Sequence, residues 1–285
     1  YRGNVLDGIA RFVGDEVAAV AAETEDVAEQ ALELIDVTWE ILPHVFDMEE
    51  AAKPDAPQIR EEGNVRPPSP TQWGDIAQGK AEADFTIDCD ITFPTQQYAS
   101  LGRNAAIAKW EDDKVTLWTS SQTPSEVKDG IQEALDIPQS RIRVKALPSG
   151  SSFGLWWSNN FMMVTVLLAR KARRAVKIDL DNYECMATVK RRHEERSRGR
   201  MGCTKDGDLT FIDMDHLIDN GAYGYKDDVG YAGLDMWNGI RNGRSEVLAV
   251  NTNRVTAGCF RGVGDCTLST AVERMADQLA EKTGI

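Results

Sequence analysis

The apolar positions along the chain follow two spacings, which predicts a mixture of helices and strands. Val27, Ala31 and Ile35 lie four residues apart and so predict a helix with one apolar face. The segments 11–22 and 37–47, on either side, have the length and composition of strands. Together these segments predict a small α/β unit, about one strand–helix–strand in length.

Helix starts can be recognised from capping residues. Thr24 precedes the first predicted helix, and Thr is a residue type that caps helix N-termini. Thr123 and Glu126 have the spacing of a capping box, with Pro124 at the first helical position, where a missing N–H is tolerated. The apolar stripe of this second helix consists of Val127, Ile131 and Leu135.

The remaining pattern predicts strands, a hairpin and two further helices. Strands are predicted at 81–93, 105–110, 114–120, 141–147 and 175–180, a hairpin at 199–223 that turns at Lys205–Asp206–Gly207, and helices beginning near Trp157 and spanning about 267–283. Segment 56–74 is rich in proline and charge and predicts a surface linker. The fold class is therefore α+β: a small α/β domain at 1–55, the linker, and a mixed α/β domain at 75–285.

Composition and charge narrow the possible functions. The 285 residues are 42% hydrophobic, and the formal charge of −14 argues against a nucleic-acid partner, which needs a basic surface. The basic segment 190–200 is interleaved with Glu194 and Glu195, which favours a solvated strand end. The longest apolar run, 161–169, is too short to span a bilayer.

The five cysteines are odd in number and scattered, without a CxxC pair or a ligand-like spacing to histidine. This pattern argues against a disulfide framework, a zinc site and an iron–sulfur cluster. It favours a reducing, cytoplasmic compartment.

Three loops with candidate chemistry each precede a predicted helix. Gln122 precedes the capped helix, Phe153–Gly154 precedes the apolar helix, and GCFRGVGD at 258–265 precedes the last one. Helix N-termini present unpaired N–H groups, and glycines allow a ligand to approach the backbone closely. The loops match neither the dinucleotide fingerprint nor the P-loop. Each loop alone is also compatible with an ordinary strand-to-helix connection.

Four motifs occur in an order that resembles a known family. WTSSQTP, SGSSFG, DGDLTFIDMDHLIDNGAY and NTNRVTAGCFRGVGD are similar to the cofactor-binding domain of molybdenum hydroxylase large subunits, the xanthine dehydrogenase and aldehyde oxidase family. The segment 11–47 resembles the family's small N-terminal domain. The resemblance therefore implies a hammerhead-like domain followed by a first molybdopterin-binding domain.

The resemblance implies roles for these loops around a molybdenum–molybdopterin cofactor, in its plain or its cytosine dinucleotide form. Gln122 would hydrogen-bond an oxygen ligand of the metal, and Phe153 and Gly154 would lie against metal and pterin. Ser151 and Ser152 would contact the pterin, and the backbone of Phe260 to Gly264, including Arg261 and Gly262, would line the pocket. No side chain of the chain is implied as a direct metal ligand.

Departures from the family pattern bear on the substrate. Bulky residues follow the Phe–Gly pair, Val263 replaces an aromatic residue, and Gly102–Arg103 stands where the family has a Glu–Pro pair. With Trp156, Trp157 and Val263 as substrate-pocket residues, the pattern argues against a purine, since unpaired polar groups in an apolar wall cost about 1–3 kcal/mol each. An aldehyde, an aromatic heterocycle or a larger apolar molecule remains.

The resemblance also implies components that these residues lack. The family's glutamate base belongs to a later domain, and His44, His193 and His216 are not substitutes for it. We therefore expect a partial or split subunit with a second molybdopterin-binding chain, an iron–sulfur subunit and an FAD-carrying subunit. Two alternatives remain open: a reductive family member that acts on an aromatic thioester, and a non-catalytic scaffold.

Overall fold

The computed structural model describes residues 5–148, 150–154, 157, 159–224 and 239–285. These residues form two compact units, each built from two separate stretches of chain. The first unit comprises Tyr1–Pro43 and Gln97–Lys190, and the second comprises His44–Gln96 and Arg191–Ile285. This division differs from the ranges 1–55, 56–74 and 75–285 expected from the sequence, and those domain ranges stay a prediction.

The secondary structure is mixed throughout. The helices are α1 (Glu25–Glu33), α2 (Met48–Ala51), α3 (Ile76–Glu82), α4 (Pro124–Leu135), α5 (Asn160–Ala172), α6 (Asn182–Thr188) and α7 (Asp265–Thr283), with a 3-10 turn at Gln139–Arg141. The strands are β1 (Ser69–Trp73), β2 (Phe85–Phe93), β3 (Ala105–Glu111), β4 (Lys114–Ser120), β5 (Ile142–Leu147), β6 (Val176–Asp179), β7 (Glu194–Cys203), β8 (Leu209–Asp219) and β9 (Asn242–Val250).

The first unit is built on a four-stranded sheet in the order β5-β4-β3-β6. Strands β4 and β5 are parallel, and the other pairs are antiparallel. Helix α5 is apolar on almost every side, so it is buried against the sheet, and Met162 and Met163 are fully enclosed. Val127 and Ile131 of α4 belong to the same core. The sheet and two helices thus hold the starts of α4 and α5 in place.

The second unit contains a five-stranded sheet in the order β1-β9-β8-β7-β2, with only β8 and β9 parallel. Helix α7 packs on β2 and β7, and its residues Leu268, Val272, Met275 and Leu279 join Ile212 and Met214 of β8 in one core. Because side chains alternate along a strand, the neighbouring Phe211 and Asp213 lie on the opposite face, where α3 packs. Strand β7 also contacts the start of α7, where the Thr267 hydroxyl donates to the Glu195 carboxylate.

Much of the predicted secondary structure is confirmed, including the mixed α+β class. The predicted strands at 105–110, 114–120, 141–147 and 175–180 correspond to β3, β4, β5 and β6. The hairpin is β7–β8, and Gly207 in its turn has a φ of +88°. Helix α7 ends at Gly284 in the left-handed conformation, as the sequence predicted. The apolar helix begins later than expected, at Asn160.

The predicted N-terminal strands are wrong. Among residues 5–43, all of which the structure describes, α1 forms with the predicted Thr24 cap, but no strand forms. Strands need partners for their backbone N–H and C=O groups, and the described part of the chain provides none for these segments. The predicted apolar face of α1 is not buried either, and Val27 and Leu32 stay about half exposed. The hammerhead-like character of this region stays a prediction.

Two further expectations need correction. The predicted linker contains strand β1, which pairs with β9, and a buried Asn64, whose side chain bonds to Ile59 and Ala51. The predicted capping box at α4 does not form, because Thr123 makes no side-chain cap and its N–H donates instead to Ser121 Oγ at 3.0 Å. Within the described residues, no helix is both long and apolar enough to cross a membrane.

Candidate functional site

Two of the three predicted loops meet in the first unit. The side-chain oxygen of Gln122 accepts a hydrogen bond from the backbone N–H of Gly154 at 3.1 Å. Phe153 and Gly154 both have positive φ angles, +49° and +108°, so this turn exposes its backbone in a conformation that is uncommon for a phenylalanine. The contact uses the carbonyl end of Gln122 and leaves its amide group available as a donor. The structure thus joins two predicted site residues that lie 32 positions apart.

Two hydroxyl groups near these residues in sequence have no hydrogen-bond partner among the described residues. They are Thr123 Oγ1 and Ser152 Oγ, and both atoms are buried. A buried hydroxyl without a partner costs free energy, so such atoms indicate a place for a polar ligand or water. Ser151 is partly buried, and Phe153 is 40% exposed. This group of donors and acceptors is what a polar cofactor edge requires.

The predicted pocket tryptophans are only partly placed. Trp157 is partly buried, and its carbonyl accepts a hydrogen bond from Asn159 Nδ2 at 2.9 Å. Trp156 lies outside the described residues. The predicted pocket role of both side chains stays a prediction.

The third loop belongs to the second unit and leads into α7. Gly262 and Gly264 have φ angles of +69° and +74°, and a Cβ atom on Gly262 would lie 2.7 Å from Cys266 Sγ. The positive φ favours glycine at position 262, and a Cβ there would also require the Cys266 side chain to move. Val263 packs against the cluster of Ile218, Val247 and Ala249. The Arg261 side chain is exposed, consistent with assigning the loop's role to its backbone.

Arg192 holds this loop, a role that sequence analysis did not predict. Its guanidinium carbon lies 4.3 Å from the centre of the Phe260 ring, within cation–π range. The same group donates hydrogen bonds to the carbonyls of Arg261 at 2.7 Å and Gly262 at 3.3 Å. The prediction that segment 190–200 is a solvated strand end is therefore wrong at this residue. Local composition does not distinguish an arginine whose guanidinium donates to two backbone carbonyls from an arginine that is solvated.

A buried polar cluster lies next to the same loop. Glu195, Ser197, His216 and Thr267 are each at most 5% exposed. The carboxylate of Glu195 accepts hydrogen bonds from Ser197 Oγ at 2.8 Å and from the Thr267 hydroxyl. His216 Nδ1 lies 2.8 Å from Ser197 Oγ and 3.2 Å from Glu195 Oε1. This region was also predicted to be solvated, and that prediction is wrong for Glu195.

The cluster is not a nucleophilic triad, although it contains serine, histidine and a carboxylate. In a working triad the two ring nitrogens of histidine serve different partners, one the serine and the other the carboxylate. Here both partners share Nδ1, and Nε2 is buried without a partner among the described residues. Ser197 is also fully buried, so no substrate can reach it. The geometry therefore supports a positioning role rather than hydrolysis.

A small, shallow pocket lies between β7 and the loop. Its lining consists of Arg192, His193, Glu195, Gly258, Phe260, Val263, Gly264 and Thr267. The predicted residues Phe260 and Val263 are among them, and the sequence had not indicated Arg192, Glu195 or Thr267. One wall is thus apolar, and the other contains one basic and one acidic side chain.

Arg191, which directly precedes the pocket residue Arg192, forms a buried ion pair with Asp219. Arg191 Nη2 donates to Asp219 Oδ2 at 2.6 Å, and their side chains are 5% and 0% exposed. Asp219 Oδ1 also accepts from the Gly221 N–H and from Thr252 Oγ1, so both of its oxygens have partners. Arg191 Nε donates in addition to the carbonyl of Val255. The pair thereby links the beginning of β7 to the chain that follows β9.

His193, next to both arginines, is held neutral. Burial, with the nearby positive charge of Arg191 as a second cause, lowers the pKa of His193 to about 4. The unfolded chain takes up this proton near pH 6.5, and the folded protein does so only near pH 4, so stability is lost as pH falls through that window.

We expect the free energy of unfolding to fall by up to about 3 kcal/mol between pH 6.5 and pH 4 because of this residue. Urea titrations across that range would measure the loss. His193→Gln should show a flatter dependence than the parent protein, while His44→Gln, at an exposed ring, serves as the control. Parallel curves for the parent and His193→Gln would contradict the assignment.

A family model and a curated relative both match this chain to molybdopterin-binding proteins. Residues 59–285 match the family described as the molybdopterin cofactor-binding domain. Over 96% of its length the chain is 31% identical to the xanthine dehydrogenase molybdenum-binding subunit of Escherichia coli O157:H7. The match spans 37% of that relative, so the chain corresponds to a little over a third of its length.

Solved structures give the same result. The quinoline 2-oxidoreductase of Pseudomonas putida 86 is similar with a TM-score of 0.88 at 25% identity, over 99% of this chain and 37% of that one. The aldehyde oxidoreductase of Desulfovibrio gigas is similar with a TM-score of 0.85 at 26% identity, over 93% of this chain and 30% of that one.

Proposed function

Because the chain belongs to the molybdopterin cofactor-binding family, within the xanthine dehydrogenase and aldehyde oxidase group, we propose that it forms part of a molybdenum hydroxylase. Such an enzyme would introduce a water-derived oxygen at an electron-poor carbon of an aldehyde or an aromatic heterocycle. The observation that supports this most directly is the contact between Gln122 and Gly154, which joins two loops that the resemblance assigns to one cofactor.

The described residues fit a pterin cofactor. The buried Ser152 and Thr123 hydroxyls have no partner within the part of the chain that the structure describes, and the Gln122 amide can donate while its carbonyl holds Gly154. Gly154 and Gly262 both have positive φ, a backbone conformation that residues with a side chain rarely adopt. We propose that Gln122, Ser151 and Ser152 donate to the cofactor, and that Phe153 and Gly154 lie against it. That the loop at 260–264 meets the same cofactor stays a prediction.

The bound cofactor would supply the two-electron redox chemistry, and the residues of this chain would supply binding and orientation. Phe260 and Val263 would present an apolar surface to the substrate and exclude water from it. Gln122 would fix one face of the cofactor by donating a hydrogen bond. Arg261 would take part through its backbone.

Among the described residues that line the pocket, no titratable side chain has the properties of a general base. His193 has its pKa lowered to about 4, so it is a weak proton acceptor at neutral pH. Glu195 is engaged by the hydroxyls of Ser197 and Thr267. We propose that the base, expected to be a glutamate, comes from polypeptide outside residues 1–285.

The apolar wall is the basis for the proposed substrate class. The side chains of Val263 and Phe260 are hydrocarbon, so neither can form a hydrogen bond with the polar edge of a purine. Val263 packs against an aliphatic cluster, and Arg192 stacks on the Phe260 ring. An aldehyde or a heterocycle with little polar surface fits this wall better.

We propose that electrons leave through iron–sulfur and FAD groups on partner subunits, and that a second molybdopterin-binding chain completes the cofactor site. No disulfide joins any of the five cysteines, all of which the structure describes. We therefore propose that the protein is located in a reducing, cytoplasmic compartment. The cytosine dinucleotide form of the cofactor is likewise proposed as the alternative to the plain form.

Metal analysis tests the proposed function. The purified, catalytically active complex that contains this chain should contain molybdenum in near-stoichiometric amount, measured by inductively coupled plasma mass spectrometry. An active complex without molybdenum would refute the proposed function, whatever its substrate.

A further inference from the structure

Two charged side chains from the beginning of β7 hold opposite ends of the loop at 260–264. Arg192 precedes the strand and contacts the first half of the loop, while Glu195 lies within the strand and contacts the first turn of α7. Both residues also line the pocket. They were expected to be solvated, and neither is used by the chemistry proposed above.

Arg192 contacts the part of the loop that follows Gly258. Gly258 is anchored, because its N–H donates to the carbonyl of Arg191 at 2.9 Å. Beyond it, the carbonyls of Arg261 and Gly262 accept from the Arg192 guanidinium, whose face also covers the Phe260 ring. A planar guanidinium can do all three at once, and a lysine ammonium cannot reproduce that geometry.

Glu195 fixes the other end. Thr267 is buried in the first turn of the 19-residue helix α7, and its hydroxyl reaches both the Glu195 carboxylate and the carbonyl of Gly264, the latter at 3.1 Å. A carboxylate at a helix N-terminus is stabilised by the helix dipole, and the Ser197 hydroxyl further satisfies it. The Glu195 carboxylate therefore ties the helix start to β7.

We propose that Arg192 and Glu195 are positioning residues that fix the loop at 260–264 between β7 and α7, and that they thereby set substrate selectivity. The selectivity part rests on the proposed function. Phe260 and Val263 lie between the two anchors, so releasing either anchor displaces the apolar wall against which a substrate would be oriented. Displacements of about 1 Å in a substrate-positioning group can cost about 100-fold in rate.

The first test measures the loop directly, by hydrogen–deuterium exchange of the full protein in its purified complex. Arg192→Lys and Thr267→Val should each raise amide exchange across residues 260–268 by about 10-fold or more, because each removes a hydrogen bond to a charged group. Thr267→Ser keeps the hydroxyl and should restore the parent rate. Arg198→Lys, on the same strand but with exposed partners Glu49 and Asp90, is the matched control.

The second test measures selectivity as the ratio of kcat/KM for quinoline to that for benzaldehyde. We expect Arg192→Lys and Glu195→Gln to change this ratio by about 10-fold, with molybdenum content unchanged. Arg198→Lys should leave it unaltered, and so should Glu246→Gln, at a carboxylate on β9 that pairs with Arg244. Thr267→Val provides a second anchor variant if Glu195→Gln does not fold.

Three outcomes would overturn the proposal. Exchange at 260–268 that matches the Arg198→Lys control would show that the anchors do not hold the loop. Faster exchange with an unchanged substrate ratio would show that loop position does not set selectivity. Failure of Thr267→Ser to restore the parent rate would exclude the hydroxyl as the link. A complex without molybdenum would instead refute the proposed function, and the exchange data would still decide whether the anchors position the loop.

Discussion

Replacing Arg191 by methionine should destabilise the protein by about 3–5 kcal/mol, because it removes the closest counter-charge of the buried Asp219 carboxylate. Asp219 is completely enclosed and lies 2.6 Å from the Arg191 guanidinium, whereas Arg254 approaches it only to 3.5 Å. The substitution also removes donors to the Val255 carbonyl and to Thr95 Oγ1. The midpoint and slope of urea-induced unfolding would measure the loss.

Arg196→Met is the matched control for this measurement. Arg196 lies five residues further on and pairs with Asp90 and Glu49, but these partners are solvent-exposed. Exposed ion pairs contribute about 0–1 kcal/mol, so we expect little change there. The double substitution Arg191→Met with Asp219→Asn should recover part of the loss. Equal losses for the two single variants would mean that the buried pair has no special role.

Gln122→Ala should lower kcat by about 100- to 1000-fold if the side-chain amide donates to the cofactor, as loss of one such donor typically does. Gln122 also accepts a hydrogen bond from Gly154, so the alanine variant alone does not separate donation from support of the turn. A non-catalytic scaffold would show no turnover to lose, and complex assembly would be unaffected.

Gln122→Glu makes that separation. It keeps an acceptor for the Gly154 N–H but replaces the donating amide by a carboxylate oxygen. We expect its turnover to fall as far as that of Gln122→Ala, whereas a purely structural role predicts near-parent activity. Gln139→Ala is the control, since Gln139 is an exposed glutamine of the same unit that bonds to Asp129. Stopped-flow reduction by substrate would measure the chemical step.

Several elements could be predicted because their signals are local. The Thr24 cap, the Pro124 helix start and the Gly284 stop act within one or two turns of a helix, and the structure contains all three helices. Helix α6, with its Asp181–Glu184 capping box, was missed although the same kind of signal is present. Strand β9 was missed as well.

The prediction of N-terminal strands was wrong because strand formation depends on residues that are distant in the sequence. The apolar alternation at 37–47 is strand-like, but a strand exists only when another one pairs with it, and pairing depends on residues far away in the sequence. In the structure Trp39 and Ile41 stay exposed, 60% and 86%, without such a partner strand among the described residues.

Helices with their caps, the β7–β8 hairpin and the family motifs could be read from the chain, because each depends on residues close together in it. Which charged residues of segment 190–200 are buried and which are exposed was decided only by the tertiary structure. Strand alternation and the packing of α7 bury Glu195, whereas Arg196 and Arg198 meet carboxylates on the other, solvated face. Arg192 reaches the Arg261 carbonyl from 69 positions away. Burial depends on which distant segment covers a residue, and local composition contains no such information.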